Sequence, residues 1–167
     1  MPNAVVHVLF SIIILDLFRD HFLKNKKSMP LHYILIGGIA GLIPDIDIPL
    51  YWFLSSIGFD VPFFHRVFTH TLLFLSVFII AALVFLYINR KASEIFGIIS
   101  YGIAVHIFLD WLFTGGIAPF YPFSNYVSGV DLFGMTGLPA FSEGFEAVVF
   151  LLWLWHEEKT HKISDFI

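Results

Sequence analysis

Apolar residues in this chain come in long, nearly unbroken runs rather than in the alternating or one-faced patterns of a water-soluble fold. A helix needs about 20 apolar residues to cross a bilayer, and three runs of roughly that length stand out: residues 4–18, extending towards Leu23, then 67–88 and 95–114. A fourth, over 140–155, opens on polar Ser142, Glu143 and Glu146. It closes on Phe150-Leu151-Leu152-Trp153-Leu154-Trp155, an aromatic cluster suited to the membrane interface. Between the first two runs, Leu31 to Ile43 is apolar and carries Gly37, Gly38 and Gly41, which allow close helix packing. Pro44 then ends the regular helix and leaves Asp45-Ile46-Asp47 at a helix end. The stretch from Pro49 to Phe59, with Tyr51 and Trp52, reads as an interfacial or re-entrant piece. Residues 115–139, with Pro119, Pro122, Pro139 and several glycines, form a loop long enough to expect a function of it. The pattern predicts an all-α polytopic transmembrane helix bundle of about five segments, one broken at Pro44, with residues 1–167 as a single integral membrane domain.

Composition agrees: 58% of residues are hydrophobic and 13% charged, against about a quarter charged in a typical soluble domain. Met1-Pro2-Asn3 lacks the cationic start of a secretory signal, so the first run is expected to stay as a membrane helix. A net charge of -4 without a basic stripe excludes a nucleic-acid surface. The absence of cysteine restricts any metal site to nitrogen and oxygen ligands. Arg19, Lys24, Lys26 and Lys27 follow the first run, Arg90 and Lys91 the span over 67–88, and Lys159 and Lys162 the last. A five-segment path with the N-terminus outside puts all three clusters in the cytoplasm, leaving only Arg66 of the nine basic residues opposite. The expected location is the inner or plasma membrane.

On that path His7, Asp45, Asp47, His65, Arg66, His70, His106, Asp110 and Glu146 all fall near the non-cytoplasmic ends of their segments. Ionisable groups in a membrane need partners, and one arginine cannot neutralise four carboxylates; divalent cations can. His106 and Asp110, four apart and so about 40° apart around a helix, can chelate one ion or pair with each other. Asp45 and Asp47 share one side of an extended segment, or are splayed by Pro44; they suit bridging of two metals, or capping of a turn. His65 and His70, about 140° apart on a helix, can both ligate only if His65 precedes it. Arg66 shares a helical face with His70 and is placed to hold a phosphate or to pair with Asp45 or Asp47. His7 alone reads as either a ligand or a satisfied buried histidine, and Glu143 and Glu146 also suit the start of a helix. Asp16, His21, His32, His156 and His161 fall on the basic side and read as solvated or interfacial.

At these residues the chain resembles the YdjM-type family of inner-membrane metal-dependent hydrolases. The resemblance runs from His7-Val8-Leu9-Phe10 through Leu42-Ile43-Pro44-Asp45-Ile46-Asp47 to His65-Arg66-Val67-Phe68-Thr69-His70-Thr71. It continues in His106-Ile107-Phe108-Leu109-Asp110, Thr114-Gly115-Gly116 and Pro119 to Pro122. That family is similar in turn to zinc-dependent bacterial phospholipases C and fungal single-strand nucleases, helical enzymes with clustered zinc on His and Asp. The resemblance implies His7, Asp45 or Asp47, His65, His106 and Asp110 as ligands. The chain departs from the family at Ile48, where His is frequent, and at Val67, where Gly is.

The expected function is therefore a membrane-embedded, metal-dependent phosphoester hydrolase at the non-cytoplasmic face. It would carry one or more divalent ions, with zinc first, and act on a small-molecule or lipid phosphoester. Asp45, Asp47 and Arg66 are the expected catalytic groups; His7, Asp45, Asp47, His65, His70, His106, Asp110 and Glu146 are the expected ligands. The alternatives are a transporter or metal-conducting protein using the same cluster as a transit site, and a structural protein whose buried charges only pair.

Overall fold

The computed structural model describes residues 4–59, 65–136 and 141–161. Met1 to Asn3, Pro139 and Lys162, and the side chains of Lys27, Ser142, Glu143 and His161, lie outside that description. All regular structure among the described residues is helical: α1 (Ala4–Phe22), α2 (Leu31–Ala40), α3 (Asp47–Ser56), α4 (Leu72–Ile88), α5 (Arg90–Phe113), α6 (Leu132–Thr136) and α7 (Phe141–His161). Short 3-10 turns occupy Lys26–Ser28 and Ile43–Ile46. The chain divides into two compact units, residues 1–132 and 133–167.

In the first unit α1, α2 and α4 all pack against α5. Small residues set the spacing of α2 and α5. A Cβ on Gly102 would lie 2.6 Å from the Gly37 carbonyl oxygen and 2.7 Å from Ala40 Cβ, so only glycine lets these backbones approach. At the basic end of α1 a core of Leu15, Met29, Tyr33 and Ile34 closes the bundle. Ile103, Ile107 and Ile117 form a second core with Phe74 and Phe78. The outer faces are apolar as well: Ile80, Leu83 and Tyr87 on α4 and Leu50, Trp52 and Phe53 on α3 are exposed.

The break at Pro44 is present, but it is helical rather than extended. Buried Pro44 opens the 3-10 turn, Asp47 begins α3, and the α2/α3 pair is bent by 46°. Asp45 and Asp47 therefore splay apart instead of sharing one side of a strand. The apolar run over 67–88 becomes a helix only from Leu72, because Thr71 caps it: its Oγ1 accepts from Phe74 N–H at 3.1 Å. The preceding residues form turns, with Arg66 at φ 66°. The shared helical face expected for Arg66 and His70 does not exist. Asn89 caps α5 in the same manner, accepting from Ala92 N–H at 3.2 Å.

By length and composition α5, of 24 residues, is long and apolar enough to cross a membrane, and the bent α2/α3 pair passes jointly. At 17 residues, about 26 Å of helix, α4 falls just short. The long segment after α5 folds back on the bundle: Gly115 and Gly116 take positive φ, Ile117 bridges to Ser128, and the Pro119 carbonyl accepts from Leu72 N–H at 2.9 Å. Asp16, expected to be solvated, is 5% exposed on the inner face of α1.

The second unit contains the 21-residue α7, longer than the run that predicted it. In it the Lys159 ammonium lies 4.0 Å above the Trp155 ring.

Candidate metal centre

Four elements of the first unit bring their polar side chains to one place. α1 contributes His7, the turn opened by Pro44 contributes Asp45, the turns before α4 contribute His65, Arg66 and His70, and α5 contributes His106 and Asp110. His7, His70, His106 and Asp110 are each no more than 2% exposed.

The two inner imidazoles face each other, with His70 Nε2 at 3.0 Å from His106 Nε2. Asp45 Oδ1 is 3.4 Å from His70 Nε2 and 3.5 Å from His106 Nε2. Asp110 Oδ2 is 3.4 Å and 3.8 Å from the same two nitrogens. His7 stacks on His106 with centroids 3.8 Å apart, and its Nε2 is 3.6 Å from Asp110 Oδ1. Buried His7 Nδ1, Asp110 Oδ1 and Arg66 Nε make no hydrogen bond.

The tautomers follow from the partners. His106 Nδ1 lies 2.6 Å from the Gly41 carbonyl oxygen, which only accepts, so Nδ1 carries the proton and Nε2 presents a lone pair. Thr69 Oγ1 donates to Asp47 Oδ2 at 3.3 Å and so accepts from His70 Nδ1 at 3.1 Å, which again leaves a lone pair on Nε2. Two ring nitrogens 3.0 Å apart, ringed by carboxylates, suit a cation between them, whether a bound metal ion or a proton shared by the two rings. Two nitrogens on one tetrahedral zinc, at about 2.0 Å each, would lie roughly 3.3 Å apart, close to the separations seen. Three overlapping groups have ligand atoms within 4.8 Å of one another: His7, Asp45 and His106; Asp45, His65 and His70; His70, His106 and Asp110. The donor set and its geometry thus fit a divalent metal ion.

Of the expected ligands, His7, Asp45, His65, His70, His106 and Asp110 converge. Asp47 stands one layer out, receiving His65 Nδ1 at 3.1 Å, Arg66 N–H at 3.3 Å and the Thr69 hydroxyl. It bonds to His65 and Thr69 and belongs to none of the three groups of candidate ligands, so it is not matched with Asp45. Arg66 pairs with neither Asp45 nor Asp47 through its guanidinium; Nη2 lies 3.2 Å from Asp110 Oδ2. His65 does precede the α4 helix, as dual ligation with His70 demands. Glu146 sits on α7 in the second unit, outside this cluster's described contacts.

Two participants had gone unnoticed in the sequence: Thr69, and the Gly41 carbonyl. The first adjoins His70 in the chain; the second is a backbone atom that no side-chain pattern announces. Metal-bound histidines depend on such outer partners, whose loss typically costs tenfold or more in affinity. Thr69→Val is accordingly expected to weaken zinc binding by about tenfold, with Thr69→Ser retaining it. Competition against a chromophoric chelator measures this, and equal affinities in all three proteins would rule the relay out.

No curated protein and no solved structure matches the chain. A family model described as YdjM inner membrane protein matches residues 1–163. The chain belongs to the YdjM inner membrane protein family.

Proposed function

We propose that this protein is a membrane-embedded hydrolase of phosphoesters, phospholipid headgroups among them, working with divalent metal held by His7, Asp45, His65, His70, His106 and Asp110. The observation that carries the reading is the convergence of imidazole nitrogens and the Asp45 and Asp110 carboxylates on one point, with the Arg66 guanidinium beside them. Imidazole and carboxylate donors suit zinc. Bound there, the metal supplies a Lewis acid that brings water's pKa towards neutrality and takes up charge on phosphoryl oxygens.

The chain's own groups then have distinct tasks. Asp45, 23% exposed, is the carboxylate that reaches an entering water and orients it. Arg66 Nε is buried without a hydrogen-bond partner and is held ready for a substrate oxygen. Asp47, through Thr69 and His65, holds the imidazoles in their working orientation. In the same reading α1, the bent α2/α3 pair, α4, α5 and α7 are five membrane segments. The basic clusters lie in the cytoplasm and the site opens on the other face.

A transit role is the second reading, favoured by Ser11 and Asp16, which continue from His7 along the buried side of α1. The apolar core of Leu15, Met29, Tyr33 and Ile34 at that end weighs against a polar path. Purified protein is expected to cleave phosphodiester or phospholipid substrates and to lose that turnover with chelator, regaining it on adding zinc. Absence of chelator-sensitive turnover over a broad panel, together with cation flux in proteoliposomes, would favour transit instead.

A further inference from the structure

The His/Asp cluster is closed on its inner side and most open at Asp45, with Arg66 at 18% and His65 at 12% exposure. Side chains of His70 and His106 are 0% exposed and Asp110 2%, whereas Asp45 keeps 23%. Asp45 opens onto a groove of about 460 Å³ where α2 ends and α3 begins, walled by Ile39, Leu42, Ile43, Ile46, Ile48 and Pro49. That volume lies within the range of small-molecule sites, about 300–1,000 Å³. Asp45 is the single charged residue in the lining. A wall that merely faces lipid has no use for a carboxylate, because an ionised group in hydrocarbon costs several kcal/mol without a partner. Here the carboxylate is the point where an apolar groove meets a polar centre.

On the other side of that meeting point stand the imidazoles and Arg66, whose buried Nε lacks a hydrogen-bond partner. An anion-binding end and an apolar groove joined at one residue match the polarity of an amphiphile. Ile39 and Ile46 are 57% and 56% exposed, so the groove is open along its length to a chain arriving sideways. We infer that this groove holds the aliphatic chain of a membrane-resident phospholipid substrate whose phosphate lies at the metal centre. The inference rests on the hydrolase reading for its headgroup, and it adds the chain-binding site and the lateral route of entry.

The test uses the full chain in phosphatidylethanolamine and phosphatidylglycerol vesicles, with a phospholipid bearing a diazirine at the end of one acyl chain. Photolabelling is expected to concentrate on residues 39–49 over the outer face of α4 around Ile80, Leu83 and Tyr87. It is expected to lose that enrichment in Ile46→Trp, which fills the groove, and with a diazirine diacylglycerol that lacks phosphate. Labelling equal on both surfaces would mean ordinary boundary lipid and overturn the proposal. Kinetics separate this proposal from the one beneath it. Ile46→Trp is expected to lower kcat/KM for a long-chain phospholipid by about tenfold or more relative to its value for a short-chain soluble phosphodiester. Unchanged turnover of both would remove the groove and keep the hydrolase; enriched labelling without turnover of either would keep the groove and remove the hydrolase.

Discussion

Asp110→Ala is expected to strip the protein of bound metal and to destabilise it by about 3–5 kcal/mol, the usual consequence of deleting one partner of a buried ion pair. Asp110 is the residue on which the cluster turns. One oxygen faces His70, His106 and the Arg66 guanidinium, and the other faces His7. Removing the carboxylate deletes a candidate metal ligand and leaves Arg66, 18% exposed in its side chain, without its counter-charge. Asp110→Asn keeps the volume and one oxygen, and so separates packing from charge: metal content should fall with a smaller loss of stability. Elemental analysis of purified protein gives the metal-to-protein ratio, and reversible denaturation in detergent gives the stability. Full metal occupancy in Asp110→Ala would mean that the ion is held elsewhere, and the site as drawn would be wrong.

Gly102→Val should also be damaging, although Gly102, one turn before His106 on α5, is itself no candidate ligand. Its new Cβ would sit 2.6 Å from the Gly37 carbonyl oxygen and 2.9 Å from the Ala40 backbone carbon. Neither is the end of a flexible side chain, so α2 and α5 must separate. Overpacking of this kind costs about 1–3 kcal/mol. The damage reaches the metal centre because Gly41 follows Ala40 directly, and the Gly41 carbonyl holds His106 Nδ1 at 2.6 Å. Displacing that carbonyl frees the imidazole to rotate and to change tautomer. The expected outcome is a lowered unfolding midpoint together with weaker zinc binding, read by denaturation and chelator competition on one preparation. Lowered stability with unaltered zinc affinity would show that helix spacing and the site are independent.

Much of this was legible along the chain, for reasons that can be named. Long apolar runs announce helices because, where backbone groups have no water to bond, the helix satisfies them internally. His106 and Asp110 could be paired from their spacing because the helical repeat is rigid over one turn. Pro44 announced a break because it lacks an N–H. The sites of error share a cause as well. The run over 67–88 is interrupted by Thr69-His70-Thr71, and a span drawn by average hydropathy passes over this polar triplet, whose Thr71 caps α4 and delays it to Leu72. Asp16 reads as solvated or interfacial from its place on the basic side, whereas in the fold it is 5% exposed.

The sequence by itself determined the helical class, the break at Pro44 and which ionisable residues had to find partners, since these depend on local geometry and on the cost of charge away from water. Only the tertiary structure decided which partners they found. Asp45 enters the cluster and Asp47 stays behind it; Arg66 turns to Asp110; a threonine hydroxyl and a glycine carbonyl set the two facing imidazoles. These choices depend on how closely α2 approaches α5 and where the turns before α4 are released, distances of a few ångströms between residues far apart in the chain.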